Sequence, residues 1–344
     1  MRVVVVGATG NLGTATFRRL QRAPGVTALV GVARRLPDDH AEPYEGAEPY
    51  EGAEWHSVDV GAPDAKAALT AAFAGADAVI HLAWALQPSH DEKSQWRTNV
   101  TGTANVLGAA SAAGVGHVLV GSSVGAYSPG PKHRRVDESW PTGGIHTSHY
   151  ARHKAVNERA FDRFELEHPE VVLTRFRPGL VFQEGAGHEI RGLFLGGLPM
   201  GWLKYVRPPV VPLPVQMVFQ AVHASDVGEA FWRAVERRAG GAFNIAAEPV
   251  LDPETIASVI GARRAVPVRL VAAKFLVWLT WRLRIQPTPP GWVDIAATVP
   301  IMSTEKAREV LGWEPQVSST DALASIVAGL AHDTRTGGSG PLGG

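Results

Sequence analysis

Cysteine is absent from the 344 residues of this chain. Its absence excludes disulfides, thiolate nucleophiles and thiolate metal sites, and we expect no metal centre. The chain also lacks an excess of either charge, because 33 lysine and arginine residues balance 33 aspartate and glutamate residues. We therefore expect no nucleic-acid partner and no stable membrane insertion. No targeting segment is visible, since the apolar run at residues 3–6 is far too short for a secretory core, and cytoplasm is the expected location.

The first 22 residues follow the order strand, glycine-rich turn, helix. Residues 2–6 are a β-branched run typical of a strand buried on both faces of a parallel sheet. Residues 14–22 have the apolar spacing of an amphipathic helix. Such a turn directs backbone N–H groups and the helix dipole at a pyrophosphate. The residues of the turn that we expect to bind this group are Gly7, Thr9, Gly10, Asn11, Leu12 and Gly13.

The end of the second predicted strand indicates which dinucleotide is bound. An acidic residue that accepts a hydrogen bond from the adenosine ribose is expected about 20 residues beyond the glycines, near Ala33. Alanine stands there instead, and Arg34 and Arg35 follow. Two guanidinium groups suit a 2′-phosphate, so the sequence favours NADP(H), with NAD(H) as the alternative.

Tyr150 and Lys154 stand four residues apart, with Ser123 upstream. A phenol with a pKa of about 10 is a poor base at neutral pH. A lysine ammonium one helical turn away favours the phenolate, so we expect a lowered phenol pKa. A serine hydroxyl beside that phenol would hold a substrate oxygen. Together the three residues predict a hydride-transfer site.

Further segments make the chain resemble the extended short-chain dehydrogenase/reductases, the family of NAD(P)-dependent nucleotide-sugar epimerases and dehydratases. The resemblance covers nearly the whole chain and rests on the order and spacing of the segments. These are Asp59-Val60, His81-Leu82-Ala83-Trp84, Asn99-Val100-Thr101-Gly102-Thr103, Val120-Gly121-Ser122-Ser123, Arg177-Pro178-Gly179-Leu180-Val181-Phe182, Val222-His223-Ala224-Ser225-Asp226-Val227 and Leu311-Gly312-Trp313-Glu314-Pro315.

The resemblance implies a role for each matching residue. Ser123 would bind the substrate oxygen, Tyr150 would be the acid/base, and Lys154 would contact the nicotinamide ribose. Asn99 would help to place that lysine through its backbone or a water. The further residues implied to line the cofactor site are Asp59 and Val60 at the adenine, Leu82, Ala83 and Trp84 in the groove, and Pro178 near the nicotinamide amide.

Three departures from the family pattern limit which reaction and substrate the resemblance implies. Val124-Gly125 replaces the Asp-Glu pair of the dehydratases, which disfavours dehydration. Gln183-Glu184-Gly185 replaces Gly-Pro after Phe182, a departure that bears on the geometry of the substrate loop. No clear basic cluster for a nucleotide diphosphate is visible; the only candidates are Arg191, Lys204 and Arg207.

The predicted function is hydride transfer at a secondary alcohol or ketone by an NAD(P)-dependent epimerase or dehydrogenase. The substrate is either a nucleotide sugar or a small apolar metabolite. The alternative is a catalytically silent, dinucleotide-binding regulatory protein. The intact Ser123, Tyr150 and Lys154 argue against that alternative, because a sensor needs none of them.

Strand-like runs alternate with helical stretches through residue 176, which predicts an α/β fold with a doubly wound parallel sheet and a smaller C-terminal substrate-binding lobe. Residues 1–176 would form the Rossmann domain, with 220–246 returning to it. Residues 177–219 and 247–330 would form the lobe, and 337–344 a disordered tail.

Three apolar groups invite further expectations. Residues 193–203 and 270–283 are apolar clusters of the second lobe; we expect core helix packing for the latter, with a membrane surface as the alternative. The helices at residues 99–113 and 150–164 pair across a two-fold axis in the resembled family, which predicts a homodimer. The residues that would supply this surface are Ala104, Leu107, Ala110, Ala155 and Phe161.

Overall fold

A computed structural model describes residues 1–37, 50, 52–87, 89–187 and 208–332. Arg191, Lys204, Arg207, the apolar cluster at 193–203 and the predicted tail lie outside the described residues. The strands are β1 Arg2–Val6, β2 Ala28–Ala33, β3 Glu54–Ser57, β4 Ala78–His81, β5 His117–Gly121, β6 Arg135–Val136, β7 Val172–Pro178, β8 Leu180–Phe182, β9 Val210–Pro214, β10 Ala221–His223, β11 Gly241–Ile245, β12 Arg264–Val268 and β13 Ile301–Met302. The described α-helices are α1 Asn11–Gln21, α2 Ala65–Ala72, α3 Glu92–Trp96, α4 Gly102–Ala112, α5 His149–Glu167, α6 Ala224–Arg237, α7 Pro253–Ile260, α8 Leu270–Arg282, α9 Gly291–Thr298, α10 Glu305–Leu311 and α11 Ser319–His332.

Seven parallel strands form one sheet in the order β11-β7-β5-β4-β1-β2-β3. The valine run of β1 explains why this sheet is covered on both sides. Val3 and Val5 pack with Phe17 of α1 in one core cluster, whereas Val4 and Val6 belong to the cluster on the other face. Successive side chains of a strand point to opposite faces, so both halves of the run are buried. The doubly wound parallel sheet predicted from the sequence is confirmed.

The chain returns to this sheet after a crossover. Strand β11 pairs with β7, and helix α6 packs against α1. Three pairs of short strands (β8 with β10, β9 with β12, β6 with β13) lie outside this sheet. Strand β8 follows β7 directly and pairs with β10, so this pair lies beyond the carboxyl end of β7, where ligands gather in doubly wound folds.

The prediction that residues 270–283 pack in the core is wrong. No residue of α8, which spans most of this segment, is buried, and Phe275 and Leu276 are each about 60% exposed (59% and 61%). None of the helices in the described part of the chain has the length and hydropathy to cross a bilayer.

The surface predicted for a homodimer also needs correction. Leu107, Ala110 and Phe161 lie in the core beneath the sheet, so they do not present a face to a second copy. Sequence spacing placed them on one side of each helix but did not distinguish the inward side from the outward one. Ala104 is exposed and Ala155 is partly exposed.

A buried carboxylate joins α5 to the sheet. Glu158 has no exposed side-chain surface and accepts hydrogen bonds from Ser122 Oγ (2.6 Å to Oε1) and from Arg177 Nε (3.0 Å to Oε1) and Nη2 (2.8 Å to Oε2). Arg175 Nη1 adds a longer contact of 3.3 Å. Burial by itself raises the pKa of a carboxyl, but bonds from Arg177, Ser122 and Arg175 hold the pKa of Glu158 below its ordinary value. The bonds fix α5 against the ends of β5 and β7.

We expect Glu158→Gln to lower the free energy of unfolding by about 3–5 kcal/mol, because it leaves the buried guanidinium of Arg177 without its counter-charge. Denaturant unfolding at neutral pH measures this. The matched control is Glu170→Gln, whose exposed carboxylate pairs with His168; its effect should stay within about 0.5 kcal/mol. Equal effects of the two variants would contradict the structural role given to Glu158.

Candidate active site

Two glycines of the first turn are required by packing, and a third is not. Gly7 has a φ of +84°, and a Cβ there would lie 2.5 Å from the backbone nitrogen of Ala83. A Cβ at Gly13 would lie 2.0 Å from the Gly7 carbonyl oxygen. At Gly10, the N-cap of α1, the backbone is extended and a Cβ would meet only an ordinary contact at 3.5 Å. No side chain caps α1, so Gly10 leaves the helix N-terminus open to an anion.

Gln183 explains one departure from the family pattern. Its buried side chain donates from Nε2 to the backbone oxygen of Asn11 at 2.9 Å and also to the Asn11 side-chain oxygen. The segment after β8 is thereby tied to the first turn of α1. The substitution of Gly-Pro thus joins the predicted substrate loop to the predicted dinucleotide loop.

The predicted adenosine residues lie at the ends of β2 and β3. Ala33 is buried, whereas Arg34 and Arg35 are exposed immediately after β2. The Arg34 carbonyl accepts a hydrogen bond from Ser57 Oγ at 3.1 Å. The carboxylate of Asp59 accepts from Arg97 Nη2 (2.9 Å) and from the backbone N–H of Gly61 (3.0 Å). Its neighbour Val60 is buried.

The structure brings Ser123 and Tyr150 together. Ser123 follows β5, and its hydroxyl oxygen accepts a bond from Gly125 N at 3.0 Å. Ser123 and Tyr150 meet at Gly125, where an added Cβ would lie 3.5 Å from Ser123 Oγ and 2.9 Å from Tyr150 Cε1. Tyr150 lies in the first turn of α5, which Ser148 caps through a bond to Ala151 N. The ring of Tyr150 packs between Trp84 (centroids 5.6 Å apart) and Trp292 (4.9 Å).

Lys154 lies one turn further along α5 and is buried. Its ammonium donates to the Gly121 carbonyl oxygen at 2.7 Å and lies 3.5 Å from the centroid of the Trp84 ring. Burial lowers the pKa of Lys154 to about 7, against a smaller opposing effect of Glu158. Burial also raises the pKa of Tyr150 to about 12, although the nearby Ser123 hydroxyl opposes the rise. The expectation of a lowered phenol pKa is therefore wrong for this geometry, since desolvation outweighs the nearby ammonium.

Asn99 lies in a π-helical turn, Arg97–Thr101, that precedes α4. Its side chain bonds the backbone of Ala85 twice, accepting from N (2.7 Å) and donating to O (2.8 Å). Its backbone oxygen accepts from Asn157 Nδ2 of α5 at 2.8 Å. Asn99 therefore joins α5 to the loop after β4. The predicted placement of Lys154 by Asn99, through backbone or water, stays a prediction.

The loop after β4 and the end of β7 contain the remaining predicted cofactor residues. Leu82 N donates to the Val6 carbonyl, and the backbone of Ala83 lies against Gly7. The indole N–H of Trp84 is buried and has no hydrogen-bond partner among the described residues. Pro178 ends β7 opposite Ile245.

A cavity of about 250 Å³ adjoins these residues. Val124, the neighbour of Ser123, and Trp292, which packs on Tyr150, both line it. The other lining residues are Gly179, Leu180, Met217, Phe219, Gln220, Thr288, Val293, Ile295, Ala296, Val299, Pro300 and Met302. None of these side chains is charged. Gln220 is engaged at both ends of its amide, by the backbone N and O of Met302.

Sequence reasoning missed Glu158, Trp292 and Gln183. Glu158 continues the four-residue spacing of Tyr150 and Lys154 and faces two arginines that alternate in a buried strand, so this signal was present. Trp292 reaches the site from a distant part of the chain, and no local pattern marks it. Gln183 is marked in the sequence only as a departure from the family pattern, which does not reveal its bonds to Asn11. His153, which also lies on α5, is buried beside Trp96.

Comparison with protein families gives one match over most of the chain. The model of the NAD dependent epimerase/dehydratase family matches residues 3–246. Uncharacterized proteins of Mycobacterium bovis and Mycobacterium tuberculosis are 26% identical over 329 residues, which are 94% of this chain. The chain spans only 29% of the length of these relatives.

Solved structures show the same fold. A UDP-glucose 4-epimerase of Thermus thermophilus in complex with NAD is 20% identical, with a TM-score of 0.67 over 96% of this chain and 99% of that one. A UDP-glucose-4-epimerase from Stenotrophomonas maltophila with bound NAD and formylated UDP-arabinopyranose is 19% identical, with a TM-score of 0.70 over 97% and 98%. A dTDP-glucose 4,6-dehydratase variant from Streptomyces venezuelae with NAD bound is 18% identical, with a TM-score of 0.70 over 96% of each chain.

Proposed function

This chain belongs to the NAD dependent epimerase/dehydratase family of extended short-chain dehydrogenases/reductases. We propose that it transfers hydride at a secondary alcohol or ketone of an otherwise apolar substrate. The observation that carries the proposal is the proximity of Ser123 to Tyr150 at the edge of an uncharged cavity. The family supplies the reaction class, and the cavity supplies the substrate class.

A nicotinamide dinucleotide fits the first turn and the strand ends. Gly10 is a glycine that packing does not require, at the uncapped start of α1, which suits close approach of a pyrophosphate. Arg34 and Arg35 would hold a 2′-phosphate, and the buried indole N–H of Trp84 is a donor for a ligand in the groove. When bound, the nicotinamide supplies or accepts the hydride.

Ser123 and Tyr150 handle the substrate oxygen. The Ser123 hydroxyl would hold this oxygen while the Tyr150 phenol exchanges a proton with it. The raised pKa of Tyr150 keeps the phenol protonated at neutral pH, the form that donates a proton to a ketone during reduction. Lys154 would contact the nicotinamide ribose from its position beside Trp84.

Dehydration is disfavoured by the space around Tyr150. A Cβ at Gly125 would lie 2.9 Å from Cε1 of the Tyr150 ring. A glutamate at this position, as in the dehydratase pattern, would therefore require the Tyr150 ring to shift. The short turn after Ser123 is therefore suited to proton exchange by Tyr150 without a second acid/base.

The cavity favours the apolar substrate over the nucleotide sugar. A diphosphate needs several charge-assisted donors, whereas the described cavity wall has no charged side chain. Lys132 contacts the wall residue Ala296, but its ammonium donates to the carbonyl oxygens of Ala296 (3.0 Å) and Val218 (2.6 Å), and burial lowers its pKa to about 8. These contacts suit a structural role for Lys132.

We retain a homodimer as part of the proposal. The members of the predicted surface that remain outside the core are Ala104 of α4 and Ala155 of α5.

The first expected result is tighter binding of NADP(H) than of NAD(H). Loss of a guanidinium bond to the 2′-phosphate is worth about 1.5–3 kcal/mol, so Arg34→Ala should weaken NADP(H) binding by roughly 10- to 150-fold and leave NAD(H) binding unchanged. Calorimetric titration of both cofactors measures this. Arg22→Ala is the control, because it removes an exposed arginine at the end of α1. Equal affinities of the unmodified protein for the two cofactors would reject the preference.

The second expected result concerns substrate length. Burial of each methylene contributes about 0.8 kcal/mol, so kcat/KM should rise up to about fourfold per carbon along a series of linear methyl ketones, until the cavity is filled. Ala296→Phe should abolish the rise for the longest members and leave NADPH affinity unchanged, since Ala296 lines the cavity. A flat series, together with faster turnover of UDP-glucose, would contradict the apolar substrate.

The third expected result tests Tyr150. Replacement by phenylalanine keeps the ring between the two tryptophans and removes the proton, so turnover should fall by on the order of 10²–10⁴ while cofactor affinity persists. Tyr50→Phe is the control, because its hydroxyl bonds Thr14 on the opposite side of the sheet from α5. Turnover of Tyr150→Phe within a factor of about two of the unmodified enzyme would exclude general acid/base catalysis by this residue.

A further inference from the structure

We propose that α8 binds the surface of an anionic lipid membrane, lying parallel to it with its outward face among the headgroups. The inference is independent of the reaction, because it rests on the exposed surface of one helix and on the charges beside it. The ligand is a bilayer of anionic phospholipid.

The outward face of α8 is a continuous apolar surface. Val271, Phe275, Trp278 and Leu279 recur at the spacing of one helical face, and Leu276 and Leu283 widen it. Their exposed fractions run from 36% for Leu279 to 77% for Val271. A helix of 13 residues is about 20 Å long, so this is an apolar strip rather than scattered single residues. Strips of this kind mark sites of interaction.

In α8 the apolar side chains face outward and the polar contacts face the protein, the reverse of a helix that packs on its own protein. The side that faces the protein contains the polar contacts of the helix: Lys274 Nζ is 2.7 Å from Asp294 Oδ1, and Trp281 Nε1 donates to Ser89 Oγ at 3.0 Å. An ordinary surface helix turns its apolar face inward. Here the inward contacts anchor the helix and leave the apolar face outward, which is the arrangement of an interfacial membrane helix.

The charged residues around the apolar face of α8 are basic, which favours binding to an anionic surface. Residues 255–293 contain no aspartate or glutamate and six basic residues. Five of the six are exposed: Arg263, Arg264, Arg269, Arg282 and Arg284. Arg269 precedes α8 and Arg282 ends it, so cations flank the apolar face at both ends. Anionic headgroups attract such residues by about 1 kcal/mol each.

A second copy of this chain is a poorer occupant of the same face. A two-fold contact along α8 would bring the arginines of both copies together. Within residues 255–293 no carboxylate is available to pair with them. Charge complementarity therefore favours a bilayer over self-association.

The helix adjoins the cavity. Gln286, just beyond α8, donates from Nε2 to the carbonyl oxygens of Val277 (3.1 Å) and Thr288 (2.9 Å), and Thr288 lines the cavity. A membrane-bound α8 would place the cavity wall close to the lipid surface. An apolar substrate dissolved in lipid would then have a short path to the site, a consequence that rests on the proposed function and that the binding test does not require.

Co-sedimentation of the full chain with phospholipid vesicles tests the proposal. The protein should bind phosphatidylcholine vesicles that contain about 30% phosphatidylglycerol and bind pure phosphatidylcholine weakly, and higher salt should weaken binding. Phe275→Ser combined with Leu279→Ser should lower the partition coefficient by about tenfold or more, because two apolar side chains leave the interface. Arg269→Gln combined with Arg282→Gln should lower it by on the order of tenfold.

Leu166→Ser is the matched control, because Leu166 on α5 is 83% exposed and distant from α8 in the chain; binding should be unchanged. The proposal is overturned if the unmodified protein does not bind anionic vesicles, or if both double variants bind as well as the control. It is also overturned if light scattering shows a dimer that Phe275→Ser with Leu279→Ser converts to a monomer while no vesicle binding is seen, since α8 is then a contact between copies.

Discussion

The geometry of the site depends on the hydrogen bonds that the buried carboxylate of Glu158 accepts. Its bonds to Ser122, Arg175 and Arg177 join the helix that contains Tyr150 and Lys154 to the strand ends beside Ser123. Replacement of such a pair by apolar residues often costs little stability. A hydrogen-bonded pair fixes rotation and register more narrowly than apolar packing does, because each oxygen has a defined partner. Tyr150 reaches Ser123 because α5 is held in one orientation.

The same burial governs the acid/base chemistry. Tyr150 lies between two tryptophans and Lys154 lies against one of them, so both groups are shielded from much of the water that would stabilise their ions. The pKa of the phenol rises to about 12 and that of the ammonium falls to about 7. The two shifts have one cause, desolvation, and both favour the neutral forms. A neutral phenol beside an apolar cavity is suited to protonate the oxygen of an apolar ketone.

The sequence predicts local elements well and long-range contacts poorly. The valines of β1, the glycines of the first turn and the four-residue spacing of Tyr150 and Lys154 are local patterns with one physical cause each. The strand predicted at residues 2–6 is β1, Arg2–Val6. Trp292 and Gln183 reach the site through tertiary contacts that no local pattern encodes. Core packing of residues 270–283 was predicted wrongly, because periodicity reveals an apolar helix face but not whether protein, lipid or another chain covers it. The pKa of Tyr150 was misjudged because spacing reveals the nearby charge but not the burial.

A crystal structure of the protein with NADP⁺ tests the central claim most directly. We expect the pyrophosphate against Gly10 and the first N–H groups of α1, the 2′-phosphate against Arg34, and the nicotinamide ring between Tyr150 and the mouth of the cavity. Its C4 atom should then lie about 3–3.5 Å from a position that a carbon bound to the oxygen held by Ser123 and Tyr150 can occupy. A dinucleotide bound elsewhere, or a nicotinamide ring separated from the cavity by Trp84 or Trp292, would contradict the account.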